Sequence, residues 1–168
     1  MNKTTLKKIA LCGLFSAFAT IAFTIENILP PIILPGARLG IANVFILLSL
    51  LSLGVSYGYI SLIVKITLGS LFSGNISSIM YSLPAGILSL TIELLLLLTV
   101  KNLSIVAISV AGAVINSTVQ NFVFCLITNA VEYLYYLPYL ALIAVLAGIL
   151  VGFTVYLIVK RIPKNIIT

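Results

Sequence analysis

Pro138-Tyr139-Leu140-Ala141-Leu142-Ile143-Ala144-Val145-Leu146-Ala147-Gly148-Ile149-Leu150-Val151-Gly152-Phe153-Thr154-Val155-Tyr156-Leu157-Ile158-Val159 runs for 22 residues without a charge and then meets Lys160-Arg161. A helix of that length reaches about 33 Å, enough to cross the ~30 Å hydrocarbon core of a bilayer. The rest of the chain has the same character. Of 168 residues, 62% are hydrophobic and 7% charged, and the mean hydropathy is +1.31. Soluble domains are typically about 45–50% apolar and ~25% charged. Nine basic and three acidic side chains cannot coat a globule of 18.0 kDa, so a water-soluble enzyme is excluded.

Reading outward from the last apolar run, the pattern predicts helices over 8–29, 39–53, 57–72, 77–100 and 103–127, besides 138–160. The expected fold is an all-α integral membrane protein with six transmembrane helices, one membrane domain over 1–168 and no extramembrane domain. Pro30-Pro31 stops the first helix, because proline lacks an N–H and pushes the preceding residue out of the helical region. Residues 129–137 read as a loop. The second and third helices are short, about 23 Å each by helical rise. Lys7-Lys8 before an apolar run resembles the start of a signal peptide, but the run continues to Leu29, well past the ~7–15 residues of a signal core. It reads as a retained helix. Leu11 before Cys12 also argues against a lipoprotein site.

The formal net charge of +6 is concentrated at the ends. Lys3, Lys7 and Lys8 precede the first helix, and Lys160, Arg161 and Lys164 follow the last. With six spans these clusters and Lys101 fall on the same side, which the positive-inside bias makes cytoplasmic. Glu26 and Glu132 then lie near the outer face. A nucleic-acid surface would be a continuous basic stripe interleaved with aromatics; no nucleic-acid partner is expected. The chain has no histidine and no aspartate, so zinc sites, a Walker-B carboxylate, a histidine triad and Asp-rich diphosphate chemistry lack their parts. No catalytic residue, metal or cofactor is expected. Cys12 and Cys125 lack CxxC spacing and read as small core residues.

Against this background, polar groups inside the spans are informative, since a charge at the bilayer centre costs about 2.5–3.5 kcal/mol even on insertion scales. Lys65 lies mid-helix, where it either snorkels, pairs with Glu93, or binds a ligand. Arg38 follows the Pro35-Gly36 turn at the start of the second helix, where free N–H groups favour an anion, and Asn43 is one turn further on. Asn116 and Gln120 are i,i+4 neighbours on one helix face. They serve either interhelical hydrogen bonding or a polar pocket wall. Ala10, Gly13, Ala17, Thr20 and Thr24 repeat at spacings of three and four. Gly13-x-x-x-Ala17 is a small-xxx-small pattern that permits close helix approach, within the bundle or to a partner. Arg38, Asn43, Lys65, Asn116 and Gln120 are the candidate substrate-binding residues; they converge on an outer-half cavity roofed by residues 30–37 and 73–75.

The runs Leu34-Pro35-Gly36-Ala37-Arg38-Leu39-Gly40-Ile41-Ala42-Asn43, Lys65 with Leu68-Gly69, Ser82-Leu83-Pro84-Ala85-Gly86-Ile87-Leu88-Ser89 and Gly112-Ala113-Val114-Ile115-Asn116 with Gln120 follow one another in the order of a known pattern. The chain resembles, over nearly its whole length, the small bacterial membrane family called heptaprenyl diphosphate synthase component I or Gx transporter. That family is similar to the substrate-binding S components of energy-coupling factor transporters. The resemblance implies six helices with both termini inside, a multi-pass protein of the bacterial cytoplasmic membrane, and capture of a small vitamin or precursor from outside. It also implies docking, through Ala10, Gly13 and Ala17, onto a transmembrane coupling subunit driven by two ATPases. Where the family often has arginine, this chain has Lys65, which keeps the charge but not the bidentate fork; where the family has a histidine beside Asn116, this chain has Ile115. The family label implies a second role, as a non-catalytic membrane subunit assisting heptaprenyl diphosphate synthesis. A proton-coupled carrier using Glu93 and Lys65 is a third.

Overall fold

The structure, a computed structural model, describes residues 3–28 and 39–161. Its elements are α1 Lys3–Ile28, α2 Ile41–Leu53, α3 Val55–Phe72, α4 Ser78–Thr99, α5 Ile105–Thr128, a 3-10 helix Val131–Tyr136 and α6 Leu137–Arg161. Local sequence sets several boundaries. Gly54 at φ 114° makes the turn between α2 and α3, a backbone conformation that only glycine enters without a Cβ penalty. Ser104 caps α5, its hydroxyl accepting from the Ala107 N–H at 3.1 Å, as N-cap serines do. Asn129, left-handed at φ 54°, ends the same helix.

Five of these helices are long and apolar enough to cross a bilayer, and α2 is not. At 13 residues α2 is about 20 Å long against a ~30 Å core. Nine of its residues are buried, so α2 is a core helix wrapped by its neighbours. By length and composition alone, the six expected spans are five spans and one short buried helix. The 3-10 helix occupies what the sequence predicts as loop; Tyr133 ties it to α5, its ring edge-on to Phe124 at 5.3 Å, and Phe124 is in turn edge-on to Tyr81 of α4 at 5.6 Å.

Contact pairs give the direction of each helix. Cys12 and Ser16 of α1 meet Ser61 of α3, and Phe23, further along α1, meets Gly69; α1 and α3 run parallel. Between them α2 runs the other way, with Asn43 against Lys65 and Ser49 against Ser61. Ser89 of α4 donates to the Gly112 carbonyl of α5 at 2.8 Å and Tyr81 meets Phe124, an antiparallel pair. The α5–α6 pair is tighter still. A Cβ on Gly148 would stand 2.6 Å from Val110 Cα, and one on Gly152 2.6 Å from Val106 Cα, so the two backbones touch where these glycines fall. The core joins Leu47, Leu48 and Leu50 of α2 to Leu62 and Ile66 of α3, Leu90 of α4, and Val151 and Val155 of α6.

Candidate functional site

Two features stand out against this apolar bundle. The first is a small polar cavity of about 30 Å³ bordered by α1 to α5, lined by Glu26, Asn43, Lys65, Ser82, Asn116 and Gln120, with Phe23 and Gly86 among its apolar walls. That volume holds about one or two waters. Four of the five candidate binding residues therefore share one cavity. Arg38 lies outside the described residues, as do residues 30–37. Ser73, Gly74 and Asn75 do not line this cavity; they form the tight turn into α4, with Gly74 at φ 70°.

Lys65 is 5% exposed. Its ammonium donates to Asn43 Oδ1 at 2.8 Å and lies 5.5 Å from the centroid of the Phe23 ring, within cation–π range. Lys65 is thus held by α1 and α2 and does not snorkel to an interface. Glu93, 8% exposed, packs onto Gly112 of α5, where a Cβ would fall on its carboxylate.

The start of α2, read from sequence as an anion-attracting terminus, holds a carboxylate of the protein itself. Glu26 Oε1 accepts the Ile41 N–H at 2.7 Å, using one of the free donors of the first helical turn. This contact ties the end of α1 to the start of α2.

Asn116 and Gln120 present their amides to the same space, as the i,i+4 spacing requires, and both also line a second cavity of about 40 Å³ toward α6, with Asn43 and Gly40. Among the described residues neither amide makes a hydrogen bond. Both side chains are only partly buried, so their amides remain accessible from the cavity they line. Phe23, Glu26 and Ser82 complete the cavity. The sequence signalled Glu26 by its charge and Ser82 as the first residue of one of the runs that carry the family resemblance; Phe23 carried no signal beyond its helix.

The second feature is a membrane-facing groove of about 670 Å³ between α1 and α3, lined by Ile9, Cys12, Gly13, Ser16, Ala17 and Thr20 on one wall and by Tyr57, Ile60, Val64, Leu68 and Phe72 on the other. Gly13 and Ala17 are exposed, and a Cβ at Gly13 would meet nothing within 4 Å. The small-residue stripe is therefore not used at Gly13 for packing within the bundle. Ala10, also exposed, lies outside the groove lining. Inward contacts of α1 come from Cys12, Ser16, Ala19 and Phe23, with Ser16 bonded to Ser61 at 3.0 Å.

A family model described as heptaprenyl diphosphate synthase component I matches residues 15–158, most of the chain. The chain belongs to that family. No curated protein and no solved structure matches it. Within the heptaprenyl diphosphate synthase component I family match lie Asn43, Lys65, Asn116 and Gln120, together with the α1–α3 groove from Ser16 onward. As a member of the family the chain is an all-helical, multi-pass membrane protein.

Proposed function

We propose that this chain is the ligand-binding membrane subunit of an importer, resembling the S components of energy-coupling factor transporters. It binds a small anionic or zwitterionic molecule through Lys65, Asn43, Asn116 and Gln120, with Arg38 contributing from the segment before α2. The observation that carries this reading is the pair of amides on α5, without partners among the described residues, facing the same cavity as a buried ammonium. A mostly apolar wall with a few placed polar groups is the usual form of a small-molecule site. At about 30 Å³ the cavity accommodates an anchoring group; the remainder of a ligand requires its walls to move apart.

In this reading α2 returns the chain across the membrane as the sixth pass, in keeping with its direction opposite to α1 and α3, and both termini are cytoplasmic, in keeping with their lysines and Arg161. The groove bearing Gly13 and Ala17 receives a transmembrane coupling subunit, itself driven by two ATPases. The protein sits in the bacterial cytoplasmic membrane and performs no covalent chemistry.

A second reading draws on the family's description and on the groove, which is wide, apolar and open to lipid. Here the chain is a non-catalytic subunit that handles a prenyl chain during heptaprenyl diphosphate synthesis. Mass spectrometry of small molecules co-purified with the detergent-extracted protein separates the two. A water-soluble anion or zwitterion supports the importer; a prenyl diphosphate supports the second reading and overturns the first.

A further inference from the structure

The groove and the polar cavity lie on opposite sides of one helix–helix seam. On α1, Thr20 and Thr24 face the groove, while Phe23 and Glu26 face the cavity. On α3, Val64 and Leu68 face the groove, while Lys65 and Ile66 face the cavity. Each helix therefore changes from groove-facing to cavity-facing within one residue. Phe23 occupies the crossing point. It is 4% exposed, its ring centroid lies 5.5 Å from the Lys65 ammonium, and the same ring fills the notch at Gly69, where a Cβ would stand 2.5 Å from Cδ1. Gly69 exists in this wall as the space into which the ring fits. The spaces on either side differ greatly, about 670 Å³ against about 30 Å³.

We propose that Phe23 is the specificity-determining partition of the site: seated against Gly69, it closes the polar cavity to hydrocarbon from the membrane-facing groove, so that the cavity admits only ligands without a lipid-like tail. The proposal deepens the reading of the cavity as a binding site. The physical basis is the mismatch between the two spaces. The groove is apolar and open to hydrocarbon whenever no partner helix occupies it, whereas the cavity presents Lys65, Asn43, Asn116 and Gln120, whose polar atoms lose their solvation if hydrocarbon enters. A large, rigid aromatic ring blocks such entry better than an aliphatic chain with several rotamers. With alanine at position 23, the ring is gone from the seam and its volume joins the two spaces, since packed surroundings relax only partly into such a void.

The test needs no knowledge of the natural ligand. Asn116→Cys in a Cys12→Ala, Cys125→Ala background places one thiol in the cavity. The protein is reconstituted in liposomes and treated with methyl methanethiosulfonate or dodecyl methanethiosulfonate, and modification rates are read by intact-protein mass. With Phe23 present, the dodecyl reagent reacts slowly. In Phe23→Ala its rate rises by about tenfold or more, a barrier change of ~1.4 kcal/mol, while the methyl reagent changes far less. Phe23→Leu, which keeps more of the packing, gives a smaller rise of the same kind, and Phe23→Trp gives none. Phe15→Ala, a truncation elsewhere on α1, leaves the dodecyl rate unchanged. An unaltered dodecyl rate in both Phe23→Ala and Phe23→Leu overturns the partition, as does an equal rise in Phe15→Ala. Because the readout is access and not affinity, these negative results leave anion recognition by Lys65 to its own binding measurement.

Discussion

Lys65 of α3 donates a 2.8 Å hydrogen bond to the side-chain oxygen of Asn43 on α2, so the one lysine buried among the described residues is satisfied by the helix too short to cross the membrane by its length. The pairing explains two otherwise awkward features together. A buried ammonium is costly without partners, and a 13-residue helix needs interior contacts to stay in place. Each supplies the other's need. Removing one member should therefore cost more than removing both. We expect Asn43→Ala to lower stability by about 1.5–3 kcal/mol, the scale of a hydrogen bond to a charged group. The double variant Asn43→Ala, Lys65→Met should recover part of that loss. Thermal stability of the purified protein, followed by size-exclusion chromatography in a double-mutant cycle, measures the coupling; strictly additive losses refute it.

The glycines divide by what surrounds them. Gly148 meets the backbone of Val110, and an added methyl there should destabilise by about 1–3 kcal/mol, as overpacking does. Gly13→Ala adds a methyl where nothing lies within 4 Å and should not lower stability, alanine being the better helix former by about 0.5–1 kcal/mol. Comparing melting of the two variants tests whether α5 and α6 are in direct backbone contact while the α1 stripe faces outward.

That outward stripe leads to a functional expectation. If a coupling subunit seats in the α1–α3 groove, Gly13→Leu or Ala17→Leu should abolish ATP-dependent uptake and leave ligand binding intact. Loss of binding in the same variants contradicts the assignment, since neither residue lines the polar cavity.

Much of this architecture was legible in the sequence. The uncharged run in α6 defines the class of fold, and the i,i+4 spacing of Asn116 and Gln120 places both on one face. The short second helix was visible too. Its burial was not, because Ile41–Leu53 is apolar on every side and apolar periodicity cannot say which face meets protein and which meets lipid. Phe23 was illegible for a related reason. It is one of eight phenylalanines in a chain where aromatic residues face lipid and core alike, and only its fit against Gly69 and its position beside Lys65 distinguish it. The occupant of the α2 terminus could not be read either, since Glu26 precedes Ile41 by 15 positions and only tertiary packing brings them together.

Topology is open to direct labelling. In intact cells, cysteines placed at Lys3 and Lys160 should both be protected from an impermeant thiol reagent, while one at Glu132, exposed on the 3-10 helix, should be modified. Opposite labelling of Lys3 and Lys160 would exclude an even number of passes.

The central claim is that Lys65 and the amides around it hold a small charged ligand. Calorimetry on the co-purified molecule, once its mass is known, tests this most directly. Lys65→Ala should weaken binding by about tenfold or more, the scale of one lost charge-assisted hydrogen bond, with a comparable loss in Arg38→Ala and smaller losses in Asn116→Ala and Gln120→Ala. Wild-type affinity in the Lys65 and Arg38 variants, with the fold intact by chromatography, contradicts the account and leaves Lys65 as a tie between α2 and α3.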